Sequence, residues 1–330
     1  MSTLPDFANP LGVEETHRAF GLILDGKVDD DSIGGFLVGL SDRGETAEEI
    51  AGAAMALRER LIPVASPEDA IDVCGTGGDG HHTLNVSTAV SLVIAACGIP
   101  VAKHGNRAAS SRSGAADTLE KLGLDMEAAG RTAERTLAEL GICFLFAKNH
   151  HPAMARIQPI RQRLGRRTIF NLMGPLSNPA AVRRQLIGIA RPAYVPIYAR
   201  AKAMLGSDYS WIVSGDEGLD ELSLDRGNEV AVVRSDGFVM QRLSARDLDL
   251  PQAPVEAIRG DDAAHNAAAL TALLQGVPGP YRDAVVLNAA ASLRVAGRKG
   301  DWPELRNEAE EALDSGRAAG LLSRWIEMAQ

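Results

Sequence analysis

From residue 70 onward the chain alternates short apolar runs with longer stretches of helical period, and that order admits few architectures. Residues 71–74, 99–103, 142–147, 185–190 and 211–214 read as strands, and 86–97, 115–122, 153–164 and 195–205 as the helices among them. Gly98 and Gly165 close two of those helices. Strands that alternate with helices build an open, largely parallel sheet with helices on its faces. Two further runs, 229–234 and 238–242, meet at Ser235-Asp236-Gly237 and are expected to form a hairpin. The chain then ends in helices over 262–274, 281–296, 303–313 and 318–328.

The N-terminal part has a different texture. Apolar residues recur at three- and four-residue spacing over 13–24, 32–40 and 47–61, with Thr46 and Glu49 as a capping box for the third helix. Pro63, Ser66 and Pro67 then break the pattern. The expected fold is α/β: a small N-terminal helical domain, 1–66, and a large α/β domain, 67–330, with a central, mostly parallel sheet. Helical segments near 165–185 are expected to complete the small domain. A chain of 330 residues is long enough for two such cores.

Charge and cysteine content narrow the function by exclusion. A formal net charge of −9 argues against a nucleic-acid or membrane-surface binder. Cys74, Cys97 and Cys143 are odd in number and lie in apolar runs, so no disulfide framework and a reducing compartment are expected. No apolar stretch reaches the length of a membrane span, and the first residues lack the basic and apolar regions of a signal peptide. The expected location is cytoplasmic.

Two glycine-bearing loops carry the chemistry. The first, Gly75-Thr76-Gly77-Gly78-Asp79-Gly80, follows a strand and leads to Asn85-Val86-Ser87-Thr88 at a helix start. Glycines let backbone amides approach an anion closely, and a helix N-terminus adds free N–H groups and positive dipole. The second, from Lys103-His104-Gly105-Asn106-Arg107 to Ser113, offers the charges of Lys103 and Arg107 and the hydroxyls of Ser110, Ser111 and Ser113. Together they suit a ligand with phosphate at more than one end. The first loop formally matches G-x-G-x-x-G, but the helix starts too late, and the second strand ends in Lys103-His104 where a dinucleotide site needs an acid.

Three later elements bear on the same site. Asp220 and Glu221 follow the strand at 211–214, and adjacent carboxylates hold Mg²⁺ against substrate phosphates. His150 and His151 have no further ligand at metal spacing. Arg161 reads either as a surface arginine or as a carboxylate clamp.

Several long motifs in order, GTGGDG, NVST, KHGNRAASS, HHPA, TIFNLMGPLSNPA, GLDELS and NAAASLRVAG, make the chain resemble the anthranilate phosphoribosyltransferases of tryptophan biosynthesis. The resemblance implies a fold of the nucleoside-phosphorylase/phosphoribosyltransferase kind and a homodimer formed through the helical domain. It implies transfer of the phosphoribosyl group from 5-phosphoribosyl 1-diphosphate (PRPP) to the amine of anthranilate, with release of pyrophosphate. Carried over by position, Gly75, Gly78, Asp79, Thr83, Asn85, Val86, Ser87 and Thr88 would bind PRPP from the first loop. Lys103, His104, Gly105, Asn106, Arg107, Ala108, Ala109, Ser110, Ser111 and Ala115 would bind it from the second. Gly75, Asn106 and Arg161 would contact anthranilate, and Ser87, Asp220 and Glu221 would hold Mg²⁺, two ions per subunit. No residue is expected to act as general base. Closure between the domains would hinge near Gly174 and Pro175. Leu84, Lys148 and Ala115 depart from the family pattern, and Ala115 removes one hydroxyl from the phosphate site. A pyrimidine-nucleoside phosphorylase of the same fold would carry a lysine near Asp79-Gly80-His81, which this chain lacks. The other alternative, a non-catalytic nucleic-acid-binding relative, fits poorly with the acidic charge and the Asp220-Glu221 pair.

Overall fold

The computed structural model of the chain describes residues 3–107 and 112–330. Ala108, Ala109, Ser110 and Ser111, expected to bind PRPP, therefore lie outside the described residues. The chain opens with three helices, α1 (Val13–Leu24), α2 (Asp30–Arg43) and α3 (Ala47–Arg58). The expected capping box is present: Thr46 Oγ1 accepts from the Glu49 N–H, and the Glu49 carboxylate accepts from the Thr46 N–H. Next come β1 (Ile71–Gly75), α4 (Val86–Ala96), β2 (Val101–Gly105), α5 (Ala115–Lys121), α6 (Met126–Arg131) and α7 (Ala133–Leu140). They are followed by β3 (Ile142–Phe146), α8 (Ala147–His150), α9 (Met154–Leu164), α10 (Phe170–Met173), β4 (Arg184–Gly188) and α11 (Val195–Met204). The hairpin forms as expected, after β5 (Tyr209–Gly215), from β6 (Gly227–Arg234) and β7 (Gly237–Ser244). Helices α12 (Ala263–Leu274), α13 (Pro280–Val295), α14 (Trp302–Asp314) and α15 (Arg317–Met328) complete the chain. No helix among the described residues is long and apolar enough to cross a membrane.

The seven strands lie in the order β3-β2-β1-β4-β5-β6-β7, with the first five parallel and the last two antiparallel. Side chains alternate between the two faces, as the period of a strand requires. On β5, Trp211 and Val213 join α4 and α13–α15 in one core, while Ile212 joins α1–α3, α10 and α11 in the other. Val230 and Val232 against Ala231 and Val233 repeat that division on β6. Ile157, Ile160, Ile169, Phe170 and Leu176 pack into the same core as α1–α3.

The chain lays β1, β2 and β3 outward in one direction and then returns to lay β4 and β5 on the other side of β1. Helical connections therefore leave in opposite directions at the β1–β4 pair, which opens a crevice at the carboxyl ends of these strands. Gly75 and Gly188 stand opposite each other at that end. Both the first glycine loop and the acidic pair emerge there.

Candidate active site

Asp220 determines the floor of the crevice. Its backbone lies so close to β4 that a Cβ on Gly188 would fall 1.6 Å from the Asp220 carbonyl oxygen, and one on Gly75 2.2 Å from its Oδ2. Glycine at both strand ends is thus a steric requirement for seating this acid. The Gly77 N–H donates to Asp220 Oδ2 at 2.6 Å, which ties the first loop to the acidic turn. Burial, and the neighbouring carboxylates of Asp79 and Glu221, push the Asp220 carboxyl well above its ordinary range.

Glu221 is the bridge to the helix start and to the second strand. Its Oε1 accepts from the Ser87 N–H at 3.2 Å, in the first turn of α4. Burial raises its pKa to about 7 against the opposing pull of Lys103. Lys103, itself buried, donates from Nζ to the Val73 carbonyl at 2.8 Å and to Ser87 Oγ at 3.2 Å. Ser87, Lys103, Asp79, Asp220 and Glu221, called from separate stretches of sequence, are therefore neighbours. Among the described residues no three His, Cys, Asp or Glu form a metal cage. A Mg²⁺ shared with substrate phosphates requires only one or two carboxylates, so this donor set fits it. The closeness of Asp79, Asp220 and Glu221 points the same way, because uncompensated carboxylates in one place are costly.

The remaining residues expected at the site fall into two groups. Asn85 and Thr88 stand at the N-terminus of α4, whose first turn carries no acid of its own. Asn85 Oδ1 accepts from Thr118 Oγ1 at 2.5 Å and from Asn266 Nδ2 at 3.0 Å, and its carbonyl accepts from Tyr281. Thr88 Oγ1 is buried with no hydrogen-bond partner among the described residues, and Val86 is also buried. Thr83 forms an isolated bridge to Arg259 that frames the loop's exit. Other residues of the second loop are engaged with their own neighbours. Arg107 donates to Asp117 at 2.8 Å and to Glu120, and lies over the Phe146 ring. Asn106 Oδ1 accepts from the Arg107 N–H. Gly105 faces the Phe144 ring, with the Ala115 methyl beside it.

His104 is turned towards the 172–178 segment. Its Nδ1 lies 3.1 Å from the Gly174 carbonyl and must carry the proton, so its Nε2 accepts from His151 Nε2 at 3.2 Å. Burial keeps both rings neutral and lowers their pKa values, to about 4 for His104 and about 3 for His151. His150 bonds the Ile62 carbonyl, so the histidine pair serves packing and orientation. Arg161 is half-buried, with burial as the one influence on its pKa, which is lowered. No carboxylate pairs with it among the described residues. A desolvated guanidinium without a counter-ion is prepared for an anionic ligand.

The hinge expected near Gly174 and Pro175 meets a contrary arrangement. Four carbonyls of the 172–178 segment are each held by a different element: Leu172 by Tyr198, Gly174 by His104, Pro175 by Gln185 and Leu176 by Arg58. Asn178 adds bonds to Asp72 Oδ2 at 2.8 Å and to the Ala102 carbonyl at 2.9 Å. Motion here would break several buried hydrogen bonds at once, so the segment is a fixed shelf. Two residues not expected from the sequence join the site's surroundings: Arg167, whose Nη1 donates to the Gly78 carbonyl at 2.8 Å, and Asp72 of β1, the buried centre of a hydrogen-bond network. A charged residue inside an apolar strand was the available signal for Asp72. Arg167, in a run of arginines, gave none.

Residues 67–319 match the α/β domain of a glycosyl transferase family, and residues 8–61 match the helical bundle domain of the same family. An anthranilate phosphoribosyltransferase of Erythrobacter litoralis is 70% identical over 329 residues, covering 100% of both chains. The chain belongs to the anthranilate phosphoribosyltransferase family. A crystal structure of a family member from Thermus thermophilus superposes with a TM-score of 0.91 at 41% identity, covering 97% of this chain and 96% of that one. The Saccharomyces cerevisiae family member in complex with PRPP and Mg superposes with a TM-score of 0.88 at 29% identity, covering 97% of this chain and 93% of the other. The recognised motifs, the two-part fold and the family all agree.

Proposed function

We propose that this chain transfers the 5-phosphoribosyl group of PRPP to the amino nitrogen of anthranilate, giving N-(5-phosphoribosyl)anthranilate and pyrophosphate in tryptophan biosynthesis. The observation that carries this reading is the meeting of the glycine loop, the α4 N-terminus, Lys103 and the Asp220-Glu221 pair at one crevice. The relatives' shared activity and the yeast relative's complex with PRPP and Mg support it.

In the reaction the bond from the anomeric carbon to the diphosphate breaks as the amine forms its own bond to that carbon. Negative charge grows on the leaving group and positive charge on the sugar. The amides of residues 78–80, the start of α4 and Lys103 face the diphosphate sugar, and preorganised donors of this kind lower the barrier where charge develops. Ser87, Asp220 and Glu221 would hold Mg²⁺, two ions per subunit, which supply positive charge at the leaving diphosphate. Arg161 pairs with the anthranilate carboxylate, while Asn106 and the Gly75 backbone orient the ring and amine. An aromatic amine is neutral and nucleophilic at working pH, so no side chain need remove its proton before attack. Arg107, engaged with Asp117 and Glu120, would have to leave those partners to reach a phosphate.

We place the boundary between a helical unit, 1–66 completed by segments near 165–185, and an α/β unit, 67–330. The packing of Ile169, Phe170 and Leu176 with α1–α3 supports that division. Two copies associate through the helical unit, and the enzyme works in the cytoplasm; three buried, unpaired cysteines suit a reducing compartment. The deciding experiment follows anthranilate fluorescence. Loss of signal is expected with PRPP and Mg²⁺ together and with neither alone. Persistence of the signal with both present would reject the assignment.

A further inference from the structure

Arg167 touches the glycine loop from outside the α/β unit. It lies just beyond Gly165, whose left-handed conformation ends α9, and its own carbonyl accepts from Ser41 Oγ of α2 at 3.2 Å. From that anchorage the side chain crosses to the loop and donates to the Gly78 carbonyl at 2.8 Å. Gly78 has φ of +73°, and a Cβ there would meet Arg167 Nη1 at 3.1 Å. A glycine thus allows both the turn and the close approach of the guanidinium. Among the described residues, no other side chain of α1–α3, α9 or α10 hydrogen-bonds residues 75–80.

The electrostatic setting of Arg167 is equally specific. It is half-buried and has no ion pair at bonding distance among the described residues, yet it feels the attraction of Asp220, Asp79 and Glu45 and the repulsion of Arg191. Glu45 and Arg191 are themselves occupied with Tyr194, the first through its hydroxyl and the second over its ring. Arg167 therefore faces the acids of the crevice while its backbone belongs to the helical side.

We propose that Arg167 is a positioning residue that latches the donor glycine loop to the body carrying Arg161, so that PRPP and anthranilate bind cooperatively. The proposal rests on the reading of the two substrates given above. A loop with four glycines in six residues has much conformational freedom to lose on binding a ligand. A charge-assisted hydrogen bond that holds the loop beforehand reduces that cost. Arg161 sits in the last turn of α9, six residues before Arg167, and Arg166 pairs with Asp42 of α2 between them. When PRPP orders the loop, the latch also steadies the segment that holds the acceptor clamp, and the second ligand has less to order.

The test uses the full chain and begins with turnover of anthranilate by the wild type; absence of turnover would reject the functional reading and, with it, the cooperative role of the latch. Arg167→Met is expected to weaken PRPP·Mg²⁺ binding, measured by calorimetry without anthranilate, about tenfold. It should speed amide hydrogen exchange at residues 76–80 in the ligand-free protein. It should also abolish the gain in anthranilate affinity produced by pyrophosphate and Mg²⁺, while leaving the affinity for anthranilate alone unchanged. Arg167→Lys, which can still donate to the Gly78 carbonyl, should recover much of the PRPP affinity. Wild-type exchange at 76–80 together with wild-type PRPP affinity in Arg167→Met would overturn the proposal. If that variant does not fold, Ser41→Ala serves instead by releasing the latch's anchorage. It should move exchange and affinity in the same direction by about two- to threefold, the scale of one neutral hydrogen bond, and no change in either would equally overturn the proposal.

Discussion

Arg161 and Glu221 show how one residue can be costly to fold and useful for that reason. The Arg161 guanidinium is desolvated without a counter-ion, an arrangement that a ligand carboxylate would relieve. Arg161→Ala should raise the anthranilate KM by about 2–3 kcal/mol in binding terms, with PRPP KM little changed. Steady-state kinetics with each substrate varied would check this, and a rise confined to PRPP would place Arg161 at the other substrate. Glu221→Gln keeps the shape and the acceptor for the Ser87 N–H but removes a charge facing the leaving group. Turnover should fall by ~10² or more, and near-normal Mg²⁺-dependent turnover would remove Glu221 from the metal site. Glu221 was legible as half of a paired acid after a strand, whereas Arg161 was left open by its own sequence and became a candidate through the family resemblance. Asp72 and Arg167 were not legible, because their meaning depends on Asn178 and Gly78, residues distant in sequence.

Among the elements, the strands, the long helices and the short helix α5 were readable, and two other short helices were not. The parallel strands and α4, α12 and α13 fall where the alternation of apolar runs places them. Helices α6 and α7, of six and eight residues, were not read from the stretch between α5 and β3. The 172–178 segment is the more instructive case. Its Gly-Pro pair suggests mobility, yet the fixing groups come from α3, β2, β4 and α11. Local sequence cannot show donors that tertiary packing supplies. Asn178→Ala should therefore act as a core substitution, leaving the buried Asp72 carboxyl without its closest donor and costing about 1–3 kcal/mol of stability. Urea unfolding would measure it; an unchanged midpoint would mean that Asp72 finds another donor and that the shelf is less fixed than its bonds suggest.

For the molecule as a whole, the polar layer beneath the sheet ties its stability to pH. Lys202 of α11 is fully buried, and its Nζ donates to Gln185 Oε1 at 2.5 Å, which leaves the Gln185 amide to hold the Pro175 carbonyl. Burial lowers its pKa from 10.5 to about 7, with Arg58 adding to the effect. A base depressed in the folded state takes up a proton on unfolding, so its contribution is present at high pH and is lost as pH falls through the folded value. The window is therefore pH 10.5 down to 7. Other buried groups oppose it in part: the Cys97 thiol, pushed up to about 12, favours unfolding once unfolded thiols ionise above 9. A difference between wild type and Lys202→Met isolates the lysine. The methionine variant keeps the length of the side chain and drops the charge, so it should be the more stable of the two near pH 7. Its advantage should shrink by roughly 1.4 kcal/mol for each pH unit as pH rises towards 10, the worth of one proton. Urea titrations of both proteins at several pH values would read this directly. A difference that stays flat across the window would show that Lys202 remains charged in the fold, and that Gln185 and its neighbours shelter an ammonium ion at neutral and alkaline pH alike.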